Sequence, residues 1–366
     1  MGARTRIAAV AALALAGSVL VAGQAEAGGH HTTSLKPVIT GLNSPRGIAL
    51  HDGKIIYSVG DGSVYARSGK RTVKLGQLPG GFAPAIDTDR RGRTYALTGA
   101  GGEPGAPLTP GSATLYRLRP GKSPVVVADI GKYQAKDPDP YNTNGPADES
   151  NPFGVAALRD GTVLVSDAAG NDLLRVGKNG KIKTVARLKP RLVKTPPDRG
   201  PDAPPPGTPI LAEAVATSVT VGSDGYWYVG ELRGFPATPG TSEIWRIKPG
   251  SVNAVCDPDH PYRGNCTRYA DGYTSIVDLA GGPHRTLAVV ELAKKTWFAY
   301  EAGNFAPIEG SLFLQYPGKH HKAGFKKELA PGKVLSPGGT AVSKSGTVYV
   351  SSPLFGPGAI YKVVKK

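Results

Sequence analysis

The chain has 366 residues, of which 50 are glycine and 33 are proline, against one methionine and two cysteines. Runs of Val, Ile, Thr and Tyr between these breakers exclude a helical bundle and predict a β-rich globular protein. The formal net charge of +16 favours anionic partners at the surface and carries no information about the fold.

The first residues have the pattern of a secretory signal peptide. A basic start, GARTR, precedes the apolar run IAAVAALALAGSVLVAG, and Ala25–Ala27 supply a small-residue cleavage site. The alternative is a retained membrane anchor, but no charged stop-transfer segment follows the run. We therefore expect residues 1–27 to be removed and residues 28–366 to be secreted as one domain, without a transmembrane anchor.

Four segments share one order of residues: a small residue or proline, an apolar run, a glycine turn, and an aromatic or β-branched run. They are Ser44–Ala66, Asn151–Val176, Ala216–Leu232 and Ser336–Val363. Repeats of this length with many short strands are typical of propellers and solenoids. Residues 151–188 give the four strands of one unit most clearly, as FGVAAL (a), TVLVSDA (b), NDLLRV (c) and KIKTVARL (d).

This template gives six units, and the last one is incomplete. It stops after its strand c, AIYKVVKK, while SLKPVITGL near the chain start reads as a strand d without a blade. Closing a ring with that N-terminal strand removes an exposed sheet edge, so we predict an all-β, six-bladed β-propeller with four-stranded blades. An open stack or a seven-bladed ring would be the alternative. The predicted blades are Ser44–Leu78, Phe82–Ile130, Asn151–Leu188, Ala214–Ala270, Thr274–Leu335 and Ser336 to the chain end.

The two cysteines, Cys256 and Cys266, lie in the segment CDPDHPYRGNC. In an exported chain a local disulfide is favoured over two free thiols. His260 lies between them, but two cysteines and one histidine are too few ligands for a structural zinc site. We predict a disulfide that orders this insertion.

The loops of a propeller emerge on two faces. Connections from d to a and from b to c lie on what we call the top face, and turns from a to b and from c to d lie on the bottom face. The long loops all fall on top, which predicts that the top face holds the ligand. We expect Arg233, Phe235 and Trp297 to be loop contacts there, and the Pro-rich segment 189–209 to be an extended spacer.

Three neighbouring blades carry an acid at the end of strand b, namely Asp167, Glu231 and Glu291. If they converge at the top of the channel, they resemble a site for a hard cation such as Ca²⁺, with Asn151 as a further metal ligand. The alternative is that these carboxylates accept backbone N–H groups or pair with arginines. No other cofactor is indicated. Further oxygen donors at the top of blade three are Glu149, Asn171 and Asp172.

Histidine placement limits the chemistry of the top face. His51, His284, His320 and His321 all fall in bottom turns, and the chain has no GxSxG motif. A Ser-His-Asp hydrolase is therefore disfavoured on top. Acid–base chemistry by carboxylates with a metal stays open.

The bottom turns are basic. SGKR, DRRGR, RPGK, GKNGK and PGKHHK each carry two or more cationic residues. Such a rim attracts an anionic cell-surface polymer, or it is an ordinary solvated surface. Export makes nucleic acid a poor partner.

Two long segments carry a resemblance to a known family. SNPFGVAALRDGTVLVSDAAGNDLLRV and TSVTVGSDGYWYVGELRGFPATPGTSEIWRIKPG resemble the ScyD/ScyE family of exported, NHL-like propellers. The resemblance implies a secreted binding or scaffold module without an established catalytic activity, for an unidentified small ligand or protein. SMP-30/gluconolactonase propellers are more distantly similar and imply the alternative, a metal-dependent lactonase or esterase. A quinoprotein sugar dehydrogenase is disfavoured because no top-face histidine is expected.

Overall fold

A computed structural model describes residues 32–80, 82–102, 106–201 and 203–365. Within these ranges six antiparallel sheets form the blades of a ring, so the predicted all-β, six-bladed propeller is confirmed. The signal peptide predicted at residues 1–27 lies outside the described residues. None of the helices in these ranges has the length and hydropathy that a bilayer crossing requires.

Strands are numbered in chain order, and in each blade the first strand is the innermost. The chain enters with β1 (Thr33–Asn43). Blade one contains β2 (Ile48–His51), β3 (Lys54–Ser58), β4 (Ser63–Ser68) and β5 (Arg71–Gln77). Blade two contains β6 (Ala85–Thr88), β7 (Thr94–Leu97), β8 (Thr114–Leu118) and β9 (Val125–Asp129). After helix α1 (Ile130–Gln134), blade three contains β10 (Pro152–Ala157), β11 (Val163–Asp167), β12 (Asp172–Val176) and β13 (Ile182–Leu188).

A hairpin of β14 (Arg191–Lys194) and β15 (Pro209–Ala212) precedes blade four. Blade four contains β16 (Ala216–Val221), β17 (Trp227–Glu231), β18 (Ser242–Ile247) and β20 (Cys266–Tyr273). Along the chain, the short strand β19 (Ala254–Cys256) comes between β18 and β20 but is not part of this sheet. Blade five contains β21 (Ile276–Gly281), β22 (Leu287–Glu291), β23 (Ser311–Pro317) and β24 (Ala323–Glu328), with a 3₁₀ turn (Pro283–Arg285) and helix α2 (Trp297–Ala302). Blade six contains β25 (Gly339–Val342), β26 (Val348–Ser352) and β27 (Pro357–Lys365).

The ring is closed by the N-terminal strand. β1 pairs antiparallel with β27, from Thr33 opposite Lys365 to Asn43 opposite Pro357, and so becomes strand d of blade six. The predicted closure is confirmed. It joins the two ends of the described chain and covers the edge that β27 would otherwise expose.

The insertion in blade four contains the predicted disulfide between Cys256 and Cys266. The structure adds what the four-strand template lacks, because β19 pairs in parallel with β13 and gives blade three a fifth strand. The Pro-rich segment also differs from the expected spacer. It folds into the β14–β15 hairpin, and the buried guanidinium of Arg199 donates to the carbonyl oxygens of Pro236 and Ala237.

The core lies between the blades. Strands b of blades three, four and five are buried along their whole length, because neighbouring blades cover both faces of each sheet. Trp227 and Trp245 of blade four pack with Leu164 and Leu173 of blade three in one such layer. This packing fixes the inner strands a around the axis and directs the ends of strands b to the top face.

Candidate functional site

The structure places Asp167, Glu231 and Glu291 at the ends of strands b, as expected, and buries all three. The hydrogen-bond partners of each carboxylate lie in its own blade or in the connection that enters it. In the described part of the chain, no group of three or more His, Cys, Asp or Glu side chains is placed to hold a metal ion. The three acids and Asn151 therefore do not fit a shared Ca²⁺ site.

Asp167 is a structural acceptor in blade three. Its Oδ1 accepts the backbone N–H of Asn151 at 2.7 Å and those of Ala169 and Gly170 at 3.1 Å each. Its Oδ2 accepts the hydroxyl of Ser150 at 2.6 Å. These bonds tie the entry of strand a to the b-to-c turn and oppose the burial that raises the pKa of Asp167.

Glu231 belongs to a buried charge network in blade four. The guanidinium of Arg233 contacts both Glu231 and Glu243, and the indole N–H of Trp245 donates to Glu231 at 2.5 Å. Burial raises the pKa of Glu231, and the positive charge of Arg233 opposes that rise. Arg233 is only 1% exposed, so it serves this network and does not face a ligand on the top face.

The remaining predicted residues are spread over the top face. Glu291 accepts the backbone N–H of Thr274 at 2.7 Å, and the side-chain oxygen of Asn151 accepts that of Ala100 at 3.0 Å. Trp297 is half-buried, and its indole N–H donates to the carbonyl oxygen of Arg233 at 2.7 Å. These contacts position loops and leave these polar groups engaged within the chain.

Asn171 joins three top-face connections. Its amide nitrogen donates to Asp139 at 3.0 Å and to Glu213 at 3.2 Å, and its carbonyl oxygen accepts the backbone N–H of Val215 at 2.7 Å. Of the predicted loop contacts, only Phe235 presents a substantial apolar surface, with 37% of its area exposed. Its ring packs edge-to-face against Phe298.

Asp172 differs from these satisfied groups. It is fully buried directly opposite Asp167 in the β11–β12 pair, and neither of its carboxylate oxygens accepts a hydrogen bond of good geometry, although the nearby amide of Gln134 opposes the rise in its pKa. Burial, and then the charge of Asp167, raise the pKa of Asp172 well above its usual range. Glu149 likewise keeps a buried oxygen, Oε1, without a partner.

Top-face segments of four blades bring five aromatic rings together beside the axis. We call this group the aromatic mouth. Neighbouring ring centroids lie 5.5–6.4 Å apart, a spacing typical of packed aromatic pairs. Phe305 is 47% exposed, so the mouth reaches solvent. Its members are Phe82, Phe153, Tyr300, Phe305 and Phe355.

A buried arginine lies against this mouth. The guanidinium carbon of Arg46 is 3.9 Å from the ring centroid of Phe153 and 5.0 Å from that of Phe82. Its nitrogens donate to the carbonyl oxygens of Ala83 at 3.1 Å and Phe153 at 2.5 Å. Burial lowers the pKa of Arg46 to about 10 against the opposing charge of Asp278, so the side chain stays cationic at neutral pH.

Arg46 and Phe153 separate two cavities. One, of about 220 Å³, is the central channel between the strands a, and it contains Asp87 and Asp278. The other, of about 360 Å³, opens on the top face and is lined by Phe82, residues 99–102, Ser112 and Asn151. We call the second one the mouth pocket. It offers rings, backbone polar groups and one cation to a bound molecule.

Sequence reasoning did not select this site, although a signal for it is present. Blades one, three and six begin with SPRG, NPFG and SPGG, and the third position of this motif is Arg46, Phe153 or Gly338. A side chain at Gly338 would meet Leu354 at 2.7 Å. The third position differs in all three blades, and Arg46, Phe153 and Gly338 all line the central channel.

Comparison with known proteins supports the fold but does not indicate a substrate or a cofactor. No protein-family model matches the chain, and no curated protein does. Among solved structures, the chain is similar to a protein of Thermus thermophilus proposed to be an oxidoreductase (glucose dehydrogenase), with 16% identity and a TM-score of 0.55 over 91% of this chain and 100% of that one. It is also similar to the PQQ-bound aldose sugar dehydrogenase of Streptomyces coelicolor, with 14% identity and a TM-score of 0.52 over 92% of this chain and 99% of that one. A third similar structure is that of a protein proposed to be a gluconolactonase, with 12% identity and a TM-score of 0.50 over 91% of this chain and 92% of that one.

These likenesses define the class of protein, a six-bladed β-propeller. At such low identity they do not carry a substrate or cofactor over to this chain, because one propeller frame supports unrelated sites.

Proposed function

We propose that the chain is a secreted propeller of the ScyD/ScyE type that acts as a binding module, and that the top face holds its ligand. The observation that carries this proposal is the aromatic mouth, whose rings come from four blades and of which two, Phe82 and Phe153, lie against Arg46 beside an open cavity. Rigid scaffolds with variable loops commonly bind ligands in this way.

The chemistry of the mouth selects a class of ligand. Flat rings favour a partner with its own ring or apolar face. The guanidinium of Arg46 has only carbonyl oxygens and rings as direct partners, so a carboxylate or sulfonate would complete its environment. The ligand class is therefore a small ring-bearing molecule with one anionic group.

A fluorescent aromatic sulfonate, 1-anilinonaphthalene-8-sulfonate, is a direct probe of this class. We expect saturable binding at one site, weakened by roughly tenfold in Phe305→Ala and in Phe355→Ala, since each removes a stacking surface. The matched control is Phe325→Ala, because Phe325 is 67% exposed on the outer strand β24. Equal losses in the control and the mouth variants, or binding without saturation, would contradict the proposal.

The alternative function, a lactonase or esterase that uses Ca²⁺, has one observation in its favour. Both oxygens of the buried Asp172 carboxylate lack a partner, whereas Asp167, Glu231 and Glu291 are engaged within the chain. Turnover of gluconolactone that requires Ca²⁺, stops with a chelator and is lost in Asp172→Asn would favour the hydrolase. The binding-module proposal predicts no such turnover under the same conditions.

A further inference from the structure

The bottom turns of neighbouring blades touch one another. A Cβ added at Gly92 would lie 2.9 Å from the imidazole of His51, and one added at Gly161 would lie 2.9 Å from the guanidinium of Arg93. On the opposite side of the ring, the backbone N–H of Arg285 donates to the hydroxyl of Ser223 at 2.8 Å. The turns therefore form one continuous face across the blades.

Three of the four acids in the a-to-b turns of this face pair with arginines. Asp89 pairs with Arg93 at 2.6 Å and Asp224 with Arg246 at 3.0 Å. Asp160 pairs with Arg175 in the same way, and Asp52 lies 3.0 Å from the imidazole of His51. The carboxylates are thus held by neighbouring Arg or His side chains, and the turn-tip lysines gain no partner from them.

The exposed cations of the bottom turns take part in none of the ion pairs found within the described ranges. They lie on turns of all six blades, and all of them are exposed. They are Lys54, Lys70, Arg71, Arg90, Arg91, Arg119, Lys122, Arg159, Lys178, Lys181, Lys248, Arg285, Lys319, Lys322, Lys344 and Lys365.

Two grooves run between these cations. One, of about 710 Å³, lies between blades one and two and is lined by Lys54, Arg71 and Arg91. The other, of about 760 Å³, spans blades three to six and is lined by Arg159 and Lys344. Exposed acids of the top-face connections include Asp148, Asp198, Glu301 and Glu309, whereas the exposed acids of the bottom a-to-b turns, Asp52 and Asp160, contact His51 and Arg175. The bottom turns therefore carry more cations than acids.

We propose that the bottom face is a docking surface for an anionic polysaccharide, separate from the ligand site on the top face. Cations on turns of every blade match a polymer whose charges repeat along its length, because no single turn supplies a built pocket. Duplex nucleic acid fits less well, since α1 and α2, the α-helices of the described part, both lie in top-face connections and offer nothing to a groove.

Heparin, a sulfated polysaccharide, is the probe, and two variants that lose the same number of lysines from different faces are compared. One variant changes Lys54, Lys70, Lys178, Lys181 and Lys344 to Gln. Its control changes the same number of exposed top-face lysines, Lys132, Lys136, Lys194, Lys295 and Lys333, to Gln. At 150 mM salt we expect the bottom variant to lose roughly tenfold or more in heparin affinity and a shallower salt dependence, because fewer counterions are released. We expect the control to stay within about twofold.

Equal losses in both variants would mean that net charge alone drives binding, and an unchanged bottom variant would mean that the surface is not used; either result overturns the proposal. Tighter binding of the parent to duplex DNA than to heparin would overturn it in favour of nucleic acid. A second measurement uses the unaltered protein: bound heparin should protect the bottom lysines from acetylation and leave Lys136 and Lys295 reactive. Uniform protection, or none, contradicts the assignment.

Discussion

At the end of strand b, an acid accepts the N–H groups that the b-to-c turn and the entering strand a leave unpaired. Asp167 accepts four hydrogen bonds in this way, three from backbone N–H groups and one from the hydroxyl of Ser150. Asp172, directly opposite, has no such partner. Two carboxylates of one β-pair therefore have opposite energetic roles, since one satisfies donors and the other is buried unsatisfied beside a like charge.

We predict opposite effects for the same substitution at these two positions. Asp167→Asn should lower the free energy of unfolding by about 1–3 kcal/mol, because an amide cannot accept all of these bonds. Asp172→Asn should raise it, and the gain should grow from pH 5 to pH 8, because the raised pKa of Asp172 makes its ionisation destabilising. Urea unfolding at both pH values measures this, with exposed Asp148→Asn as the control.

A Ca²⁺ titration of the same proteins completes the test. If the acids of strand b are structural, Ca²⁺ at millimolar concentration should leave the melting temperature of the parent unchanged. A rise in the parent that disappears in Asp167→Asn would restore the shared cation site as the explanation.

Positions of the acids could be predicted from the sequence, and the alternative that they accept backbone N–H groups or pair with arginines matches the contacts observed, but the sequence could not decide between that alternative and a shared site. The repeat places Asp167, Glu231 and Glu291 at equivalent ends of strands b. Whether such ends converge depends on side-chain direction and on nearby groups such as Arg233, whose guanidinium turns back onto Glu231 within the blade. The aromatic mouth was missed for a related reason, since its rings come from segments distant in sequence.

At the scale of elements, β1 carries the closure of the ring. It has 11 residues, more than any other strand described, and pairs with β27 along nearly its whole length. Without it the outer edge of blade six would expose unpaired backbone groups.

Removing this strand should be far more damaging than a truncation of similar size elsewhere. We predict that a chain starting at Ser44 will be insoluble or will melt at least roughly 15 °C below a chain starting at Thr32, because blade six loses strand d and β27 becomes an open edge. Thermal unfolding of the two purified proteins decides the matter. A chain starting at Ser44 that melts like its longer counterpart would show that the closure is dispensable.

The insertion of blade four links two blades through β19 and the disulfide. Replacing Cys256 and Cys266 together by Ala should lower the free energy of unfolding by about 2–3 kcal/mol, because the closed loop is short. Thermal melts with and without reductant measure this, and the reduced parent should match the double variant. An unaffected melting temperature would mean that the pairing of β19 with β13 holds the insertion by itself.

The regular strands of the repeat could be predicted because strand b is buried on both faces and is bounded by glycine turns. The elements outside the repeat, β19 and the β14–β15 hairpin, could not be predicted. β19 has only three residues and joins blade three in parallel, which no local pattern signals. The β14–β15 hairpin is held by tertiary bonds from Arg199, so its Pro-rich composition alone indicates only an extended chain.

For the whole molecule, the axis matters because two half-buried acids line its narrow channel. Asp87 and Asp278 extend from opposite blades of the ring into the channel, and each accepts a backbone N–H from the next blade: that of Ala157 at 2.8 Å and that of Thr340 at 2.7 Å. These bonds join neighbouring blades at the innermost strands. The ring therefore depends on two acids that burial disfavours in their charged form.

Burial raises the pKa of Asp87 to about 6 and that of Asp278 to about 7, from an ordinary value of 3.8. The folded chain thus holds these protons where the unfolded chain has released them, so stability must fall as the pH rises from about 4 through 7. We predict a loss of a few kcal/mol over this range, measured as the free energy of unfolding in urea at half-unit pH steps.

Asp278→Asn should flatten this slope whatever it does to stability at one pH, and exposed Asp148→Asn should leave the slope unchanged. Below about pH 4 the trend should reverse, because Arg93 holds the pKa of Asp89 below the ordinary range, and the hydroxyl of Tyr228 together with Arg246 does the same for Asp224. A profile for Asp278→Asn as steep as that of the parent would place the titration outside the channel.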